Sequence, residues 1–139
     1  NKDEIINSNY FIDQNNINSY LKIFDFVKNN DLKLELYSNI YDRFSKNSKY
    51  LNDFGAFLLN INQINEAKII LESSLNNNDC EDSAIFYLAS IYVNSNEIEK
   101  LKSLLIIIEN KYLSESISTL SKEKFKILVE KISPILTSH

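Results

Sequence analysis

From Ile17 onward the apolar residues fall at helical spacing. Ile17, Tyr20, Leu21, Phe24 and then Val27 or Lys28 follow the i, i+3, i+4, i+7 pattern of one helix face. The polar stretch Asn29 to Asp31 interrupts it, and Asp31 is placed to cap the next helix. That second helix is predicted over about 32–45, with Leu36, Tyr37, Ile40, Tyr41 and Phe44 on its apolar side. Ser48 is the expected cap of a third helix over about 49–61, with Leu51, Phe54, Leu58 and Ile61 inward. Asn62 and Gln63 turn the chain into a partner helix reaching to about 77, whose inward positions are Ile64, Ala67, Ile70, Leu71, Ser74 and Leu75. The polar segment Asn76 to Asp82 reads as a link. A further helix pair runs from Ser83 to Asn94 and from Glu97 to Lys111, turning at Ser95 and Asn96. After a linker, Ser114 to Thr119, a last helix is predicted, capped by Ser121 and stopped near Ser133 by Pro134. Phe125, Leu128 and Ile132 mark one side of it, and Glu123, Lys126, Glu130 and Lys131 the other. Before Ile17, Ile5, Ile6, Tyr10, Phe11 and Ile12 keep no clean period and read as the tail of an upstream helix followed by a polar link.

Two of these helix pairs repeat each other at an offset of thirty-four residues. Asn60 meets Asn94, Asn62 meets Asn96, Ile64 meets Ile98, Lys68 meets Lys102 and Leu71 meets Leu105. Upstream, Leu51 meets Ile85, Phe54 meets Leu88, Gly55 meets Ala89 and Leu58 meets Tyr92. A fixed period of this size marks an array in which each unit buries its apolar face on its neighbours. The predicted fold is therefore all-α: an α-solenoid of about three antiparallel hairpins (about 17–45, 49–77 and 83–111) closed by a C-terminal capping helix at about 121–133, in one domain.

Composition narrows the classes without changing that picture. The 139 residues are 44% hydrophobic, enough for a core. One glycine and one proline leave little turn material for many strands. No methionine occurs, so a fragment of a longer protein is expected. Arg43 stands alone among lysines, and asparagine is abundant; both fit an A+T-rich coding bias, which weakens any reading of a single asparagine. The net charge of −4 is mild and spread, with no electrostatic footprint for nucleic acid. No apolar run is long enough to span a bilayer. Cys80, without a second cysteine, excludes an internal disulfide; a reducing compartment and a cysteine-poor secreted protein fit this equally. An intracellular, cytoplasmic location is the expectation.

Candidate chemistry is sparse. His139 is the only histidine and the last residue, which argues against histidine-based triads and metal sites. Cys80 lies beside Glu81 and Asp82, whose charges raise a thiol pKa rather than lower it. The acidic pairs Glu81–Asp82 and Glu97–Glu99 sit at helix starts, where they suit the helix dipole. One glycine cannot build a phosphate loop, and the ordered ligands of a calcium loop are missing around Asp79. No catalytic residue, metal or cofactor is expected.

Phe54, Gly55, Leu58, Ala67 and Leu71, followed by Leu88, Ala89, Tyr92, Leu101 and Leu105, resemble the large–small pattern of the tetratricopeptide repeat. The small residues let paired helices approach while the large ones fill the space around them. Leu101, Ser74, Ile108 and Asp79 depart from the family's usual residues, and the hairpin from Ile17 to Phe44 fits it more loosely. Ala67 to Leu75 is also similar to the half-a-tetratricopeptide repeat of RNA-processing scaffolds. The first resemblance implies that the first helices of successive hairpins line a concave groove. That places Asn52, Asp53, Ala56, Leu59 and Asn60 on it in one copy and Phe86, Tyr87, Ser90, Val93 and Asn94 in the other, with Asn18, Ser19, Lys22 and Phe26 from the first hairpin. Asp53, Phe86 and Tyr87 stand where one version of the groove carries a basic carboxylate clamp, so a chaperone-tail adaptor is not expected. Phe26, Leu59, Phe86 and Tyr87 suggest an apolar strip, to be filled by a partner helix or extended segment, by the terminal helix, or by a neighbouring subunit. The expected function is a non-catalytic interaction scaffold with a protein partner, without direct nucleic-acid binding or membrane insertion, and with self-association open. A scaffold subunit of an RNA-processing complex and a regulatory or sensor domain of a larger enzyme are the alternatives.

Overall fold

The computed structural model describes residues 16–112 and 119–138. The readings made for the segment before Asn16, for the linker up to Ser118 and for His139 lie outside the described residues. Among the described residues every regular element is a helix, so the fold is all-α. The chain divides into two compact units, Asn1–Glu81 and Asp82–His139.

In the first unit lie α1 (Ile17–Asp25), α2 (Asn30–Asn39), α3 (Tyr41–Phe44), α4 (Ser48–Asn60) and α5 (Ile64–Ser74). Asparagines start three of the five, α1, α2 and α4. The side-chain carbonyl of Asn16 accepts from the Asn18 N–H at 3.0 Å, that of Asn29 from Leu32 at 2.9 Å and that of Asn47 from Tyr50 at 2.9 Å. Each satisfies a backbone donor that the first helical turn leaves unpaired. Asn29 and Asn47 therefore replace the expected caps Asp31 and Ser48, and Asp31 instead lies in the first turn of α2, favourably for the dipole. The helix predicted over 32–45 is broken at Ile40 (φ −101°, ψ 6°). Ser38 and Asn39 are weak helix formers just before the break, and the Ser38 hydroxyl donates back to the Leu34 carbonyl at 2.8 Å, a contact that bends helices. The predicted apolar side survives the break: Leu36, Tyr37, Ile40 and Phe44 are buried.

The core of this unit is aromatic and centred on Tyr37. Its ring meets Phe24 edge-on (centroids 4.8 Å apart) and stacks on Phe54 at 5.0 Å and Phe57 at 5.2 Å. Such pairs contribute about 0.5–1.5 kcal/mol each beyond the area they bury. The Tyr50 hydroxyl donates to the Tyr37 carbonyl at 2.7 Å, so the cluster satisfies its own polar atom.

The segment from Asn76 to Glu81 is tied down rather than a free polar link. Ser48 Oγ donates to Asp79 Oδ1 at 2.7 Å, and Asn77 Nδ2 donates to Ser48 Oγ at 2.9 Å and to the Lys46 carbonyl at 3.2 Å. Cys80 is consequently buried, with its sulfur 3.5 Å from Ser74 Oγ.

The second unit contains α6 (Asp82–Asn94), α7 (Ile98–Tyr112) and α8 (Thr119–Thr137). Helix α7 packs on α6, and α8 packs on α7 with Phe125 and Ile132 buried. Ser121 is not the cap of α8, which starts at Thr119. Pro134 does not end it either: the helix continues to Thr137. Pro134 therefore sits inside the last turn, where it lacks the N–H that would donate to the Glu130 carbonyl.

The sequence repeat has a counterpart in the backbone. At the end of α4 the Gln63 N–H donates to the Leu58 carbonyl at 2.8 Å and Asn62 N–H to Leu59 at 3.0 Å; at the end of α6, Glu97 donates to Tyr92 at 2.9 Å and Asn96 to Val93 at 3.2 Å. Both are Schellman turns. Asn62 (φ 62°) and Asn96 (φ 56°) take the left-handed conformation these turns need, and asparagine tolerates it better than most residues. These two asparagines are thus fixed by backbone geometry, whatever the coding bias around them. Between α4 and α5, a Cβ placed on Gly55 would lie 2.4 Å from Leu71 Cδ2 and 2.5 Å from its Cγ. Leu71 is fully buried there, whereas its counterpart Leu105 in α7 is half-buried and Leu101, Leu104 and Ile108 form the core side.

Candidate functional site

The predicted groove residues occupy different surroundings in the two units. In the first, α1 and α4 pack side by side and border an open groove of about 390 Å³ lined by Asn18, Leu21, Lys22, Asp25, Lys49 and Asp53. Asn18, Lys22 and Asp25 are spaced i, i+4, i+7 along α1, and Lys49 and Asp53 are i, i+4 along α4, so each helix contributes one stripe. Leu21 supplies the apolar part of the lining, and two lysines and two aspartates supply its charge.

Asp53 is fixed from behind. Its Oδ2 accepts a hydrogen bond from the Tyr37 hydroxyl at 2.5 Å, which holds the carboxylate at the groove wall. Burial, then the hydrogen bond to Asp53 and its charge, push the Tyr37 phenol far above the usual tyrosine range, so it stays a donor. Burial likewise raises the Tyr50 phenol, with smaller contributions from Tyr41 and Asp42. Lys22, Asp25 and Lys49 form no ion pair among the described residues, which leaves their charges to solvent or to a ligand.

Of the predicted positions in this unit, Asn18, Lys22 and Asp53 come together in the groove. Asn52 is half-buried outside it, Leu59 packs against the aromatic core, and Asn60 is exposed at the end of α4. Phe26 stands 84% exposed just after α1. Asp25, Lys49 and Leu21 were not predicted. Their spacing on the same stripes as Asn18, Lys22 and Asp53 is the signal that points to them.

In the second unit, Phe86 stacks on Phe125 of α8, with centroids 4.9 Å apart and planes 10° from parallel. The terminal helix thus takes up one part of the expected apolar strip. Tyr87 is half-buried, and Ser90, Val93 and Asn94 are exposed on α6. Phe86 also lines a groove of about 340 Å³ with Lys124, Ile127, Leu128 and Lys131 of α8, none of them predicted as site residues. Their i, i+3, i+4, i+7 spacing is visible in the sequence, but there Leu128 reads with the apolar side of the helix and Lys131 with the polar side, so the four are not grouped.

Among the described residues no group of three or more His, Cys, Asp or Glu is arranged to hold a metal ion, and no helix is long and apolar enough to cross a membrane. Glu97 and Glu99 at the start of α7 make local ion pairs, with Lys100 at 3.5 Å and Lys102 at 3.3 Å, and Asp82 at the start of α6 pairs with Lys111 at 3.5 Å. Compared with protein-family models, with curated proteins and with solved structures, the chain matches none of them.

Proposed function

We propose that this chain is a non-catalytic interaction scaffold, a tetratricopeptide-like array of helical hairpins whose first helices receive a segment of a partner protein. The observation that carries the reading is the groove between α1 and α4. The two helices expose two lysines and two aspartates around a leucine, and in the repeat reading they are the first helices of successive hairpins. An extended or helical polypeptide, with side chains of both charges and an occasional apolar residue, complements such a lining. The Schellman turns thirty-four residues apart and the small residues Gly55 and Ala89 support the repeat reading. The buried, hydrogen-bonded thiol of Cys80 is a poor nucleophile, which favours a binding role over a catalytic one.

The test is selection of binding peptides from a random displayed library on the full chain, followed by affinity measurement on Lys22→Glu/Lys49→Glu. Selected peptides should lose about tenfold or more in affinity, the size expected for reversing two groove charges, while the melting curve stays in place. Failure to enrich any sequence, or enriched peptides indifferent to the double substitution, would refute the assignment of this groove.

A further inference from the structure

The groove beside Phe86 in the second unit has a chemistry of its own. Its apolar lining is Phe86, Ile127 and Leu128, and among the described residues its charged lining is Lys124 and Lys131. Ile127 is 51% exposed and Leu120, two turns back on the same stripe, is 66% exposed. Neither Lys124 nor Lys131 pairs with an acid among the described residues. Helix α8 carries four lysines against two glutamates in a chain whose net charge is −4, so this face is locally basic on an acidic protein. We infer that the groove is a docking site for an acidic amphipathic helix of a partner protein, distinct from the groove between α1 and α4.

Spacing defines the partner. Lys124 and Lys131 are seven residues apart, about 10 Å along the axis at the rise of an α-helix. Ile127 and Leu128 lie midway between them. A helix laid along α8 meets this pattern with two acidic residues seven apart and one or two large apolar residues between them, because its own rise is the same. Each apolar side chain then covers Ile127, Leu128 and the Phe86 ring, and each carboxylate reaches one ammonium group. Buried apolar contact supplies most of the affinity, and the two lysines select for acid and against base. A flat lipid surface would leave the concave part of the groove unfilled. Two cations are few for a phosphate backbone, whose binding scales with the number of phosphates neutralised.

The probe is an alanine-based helical peptide carrying two glutamates seven residues apart with two leucines midway, titrated against the full chain by fluorescence anisotropy. Companion peptides replace the glutamates by lysines or the leucines by serines. The chain should bind the acidic peptide, and Lys124→Glu/Lys131→Glu should weaken it about tenfold while gaining affinity for the basic peptide, as expected for two reversed ion pairs. Both lysines are exposed, so the double substitution should leave the thermal melt unchanged. Equal binding of acidic and basic peptides to the unsubstituted chain would overturn the inference, as would binding that survives the serine replacement. Tighter association with phosphatidylserine vesicles or polyuridylate through the same lysines would also overturn it. So would lysine-dependent self-association, which would assign the groove to a second copy. Lys22→Glu/Lys49→Glu should not affect this peptide, which separates failure of one groove from failure of the other.

Discussion

Replacing Gly55 by alanine puts two opposing effects in direct competition. Gly55 lies inside α4, where alanine is favoured over glycine by about 1 kcal/mol and the added buried methyl is worth up to about 0.8 kcal/mol more. Against this, the new Cβ would sit 2.4–2.5 Å from Leu71 Cδ2 and Cγ, where carbon atoms prefer about 3.5–4.0 Å. Leu71 cannot swing aside: it is fully buried, and one of the clashing atoms is the branch point, close to the backbone. Relief then requires α4 and α5 to move apart by about 1 Å, which loosens the contact along both helices. Overpacking of this kind costs about 1–3 kcal/mol net, so Gly55→Ala should destabilise and lower Tm by several degrees, at about 3–6 °C per kcal/mol for a chain of this length. The assay is a double-mutant cycle with Leu71→Ala, followed by circular dichroism during urea and thermal unfolding. Leu71→Ala alone should cost about 2–5 kcal/mol. In that background Gly55→Ala should reverse sign and stabilise by about 1 kcal/mol, since the clash is gone and the propensity gain remains. If Gly55→Ala stabilises the unsubstituted chain, or the cycle closes to within about 0.5 kcal/mol, close approach is not the reason for glycine here.

Two further outcomes follow from the same structure. Asn62→Ala and Asn96→Ala should each cost about 1 kcal/mol, because both residues are left-handed, while the corresponding glycine substitutions should be neutral or stabilising; chemical denaturation of the four variants checks this. The raised phenols of Tyr37 and Tyr50 should make stability fall on the alkaline side. Above about pH 10 the unfolded chain releases phenolic protons that the folded chain retains, so stability is complete below that pH and declines above it. The decline should be about 1.4 kcal/mol per pH unit for each phenol; Tyr50→Phe should flatten it, and an unchanged slope in urea melts at high pH would contradict the burial argument.

Much of the fold was legible because helical burial is a local, periodic property. Ile17, Tyr20, Leu21 and Phe24 are buried as their spacing requires, and so are Leu51, Phe54, Leu58, Ala67 and Leu71. The turns at Asn62 and Asn96 were located by the repeat itself. Helix ends were read less well, since asparagine, aspartate and serine all cap, and only the chain direction chooses among neighbours such as Asn47 and Ser48. The site was legible in part: Asn18, Lys22 and Asp53 were named, but Asp25 and Lys49 join them only because α1 lies against α4.

By itself, then, the sequence determined the helical class, most inward positions and the turn repeated after thirty-four residues, because each rests on residues within a turn or two of one another; Ile64, expected inward at the start of α5, is instead exposed. Tertiary structure decided the rest. The Tyr37 hydroxyl finds Asp53 sixteen residues away, Asp79 reaches back to Ser48, Leu71 closes over Gly55, and Phe125 covers Phe86. Those pairings depend on which helix faces meet and at what separation, and a hydrophobic period specifies that a face is buried without specifying what it is buried against.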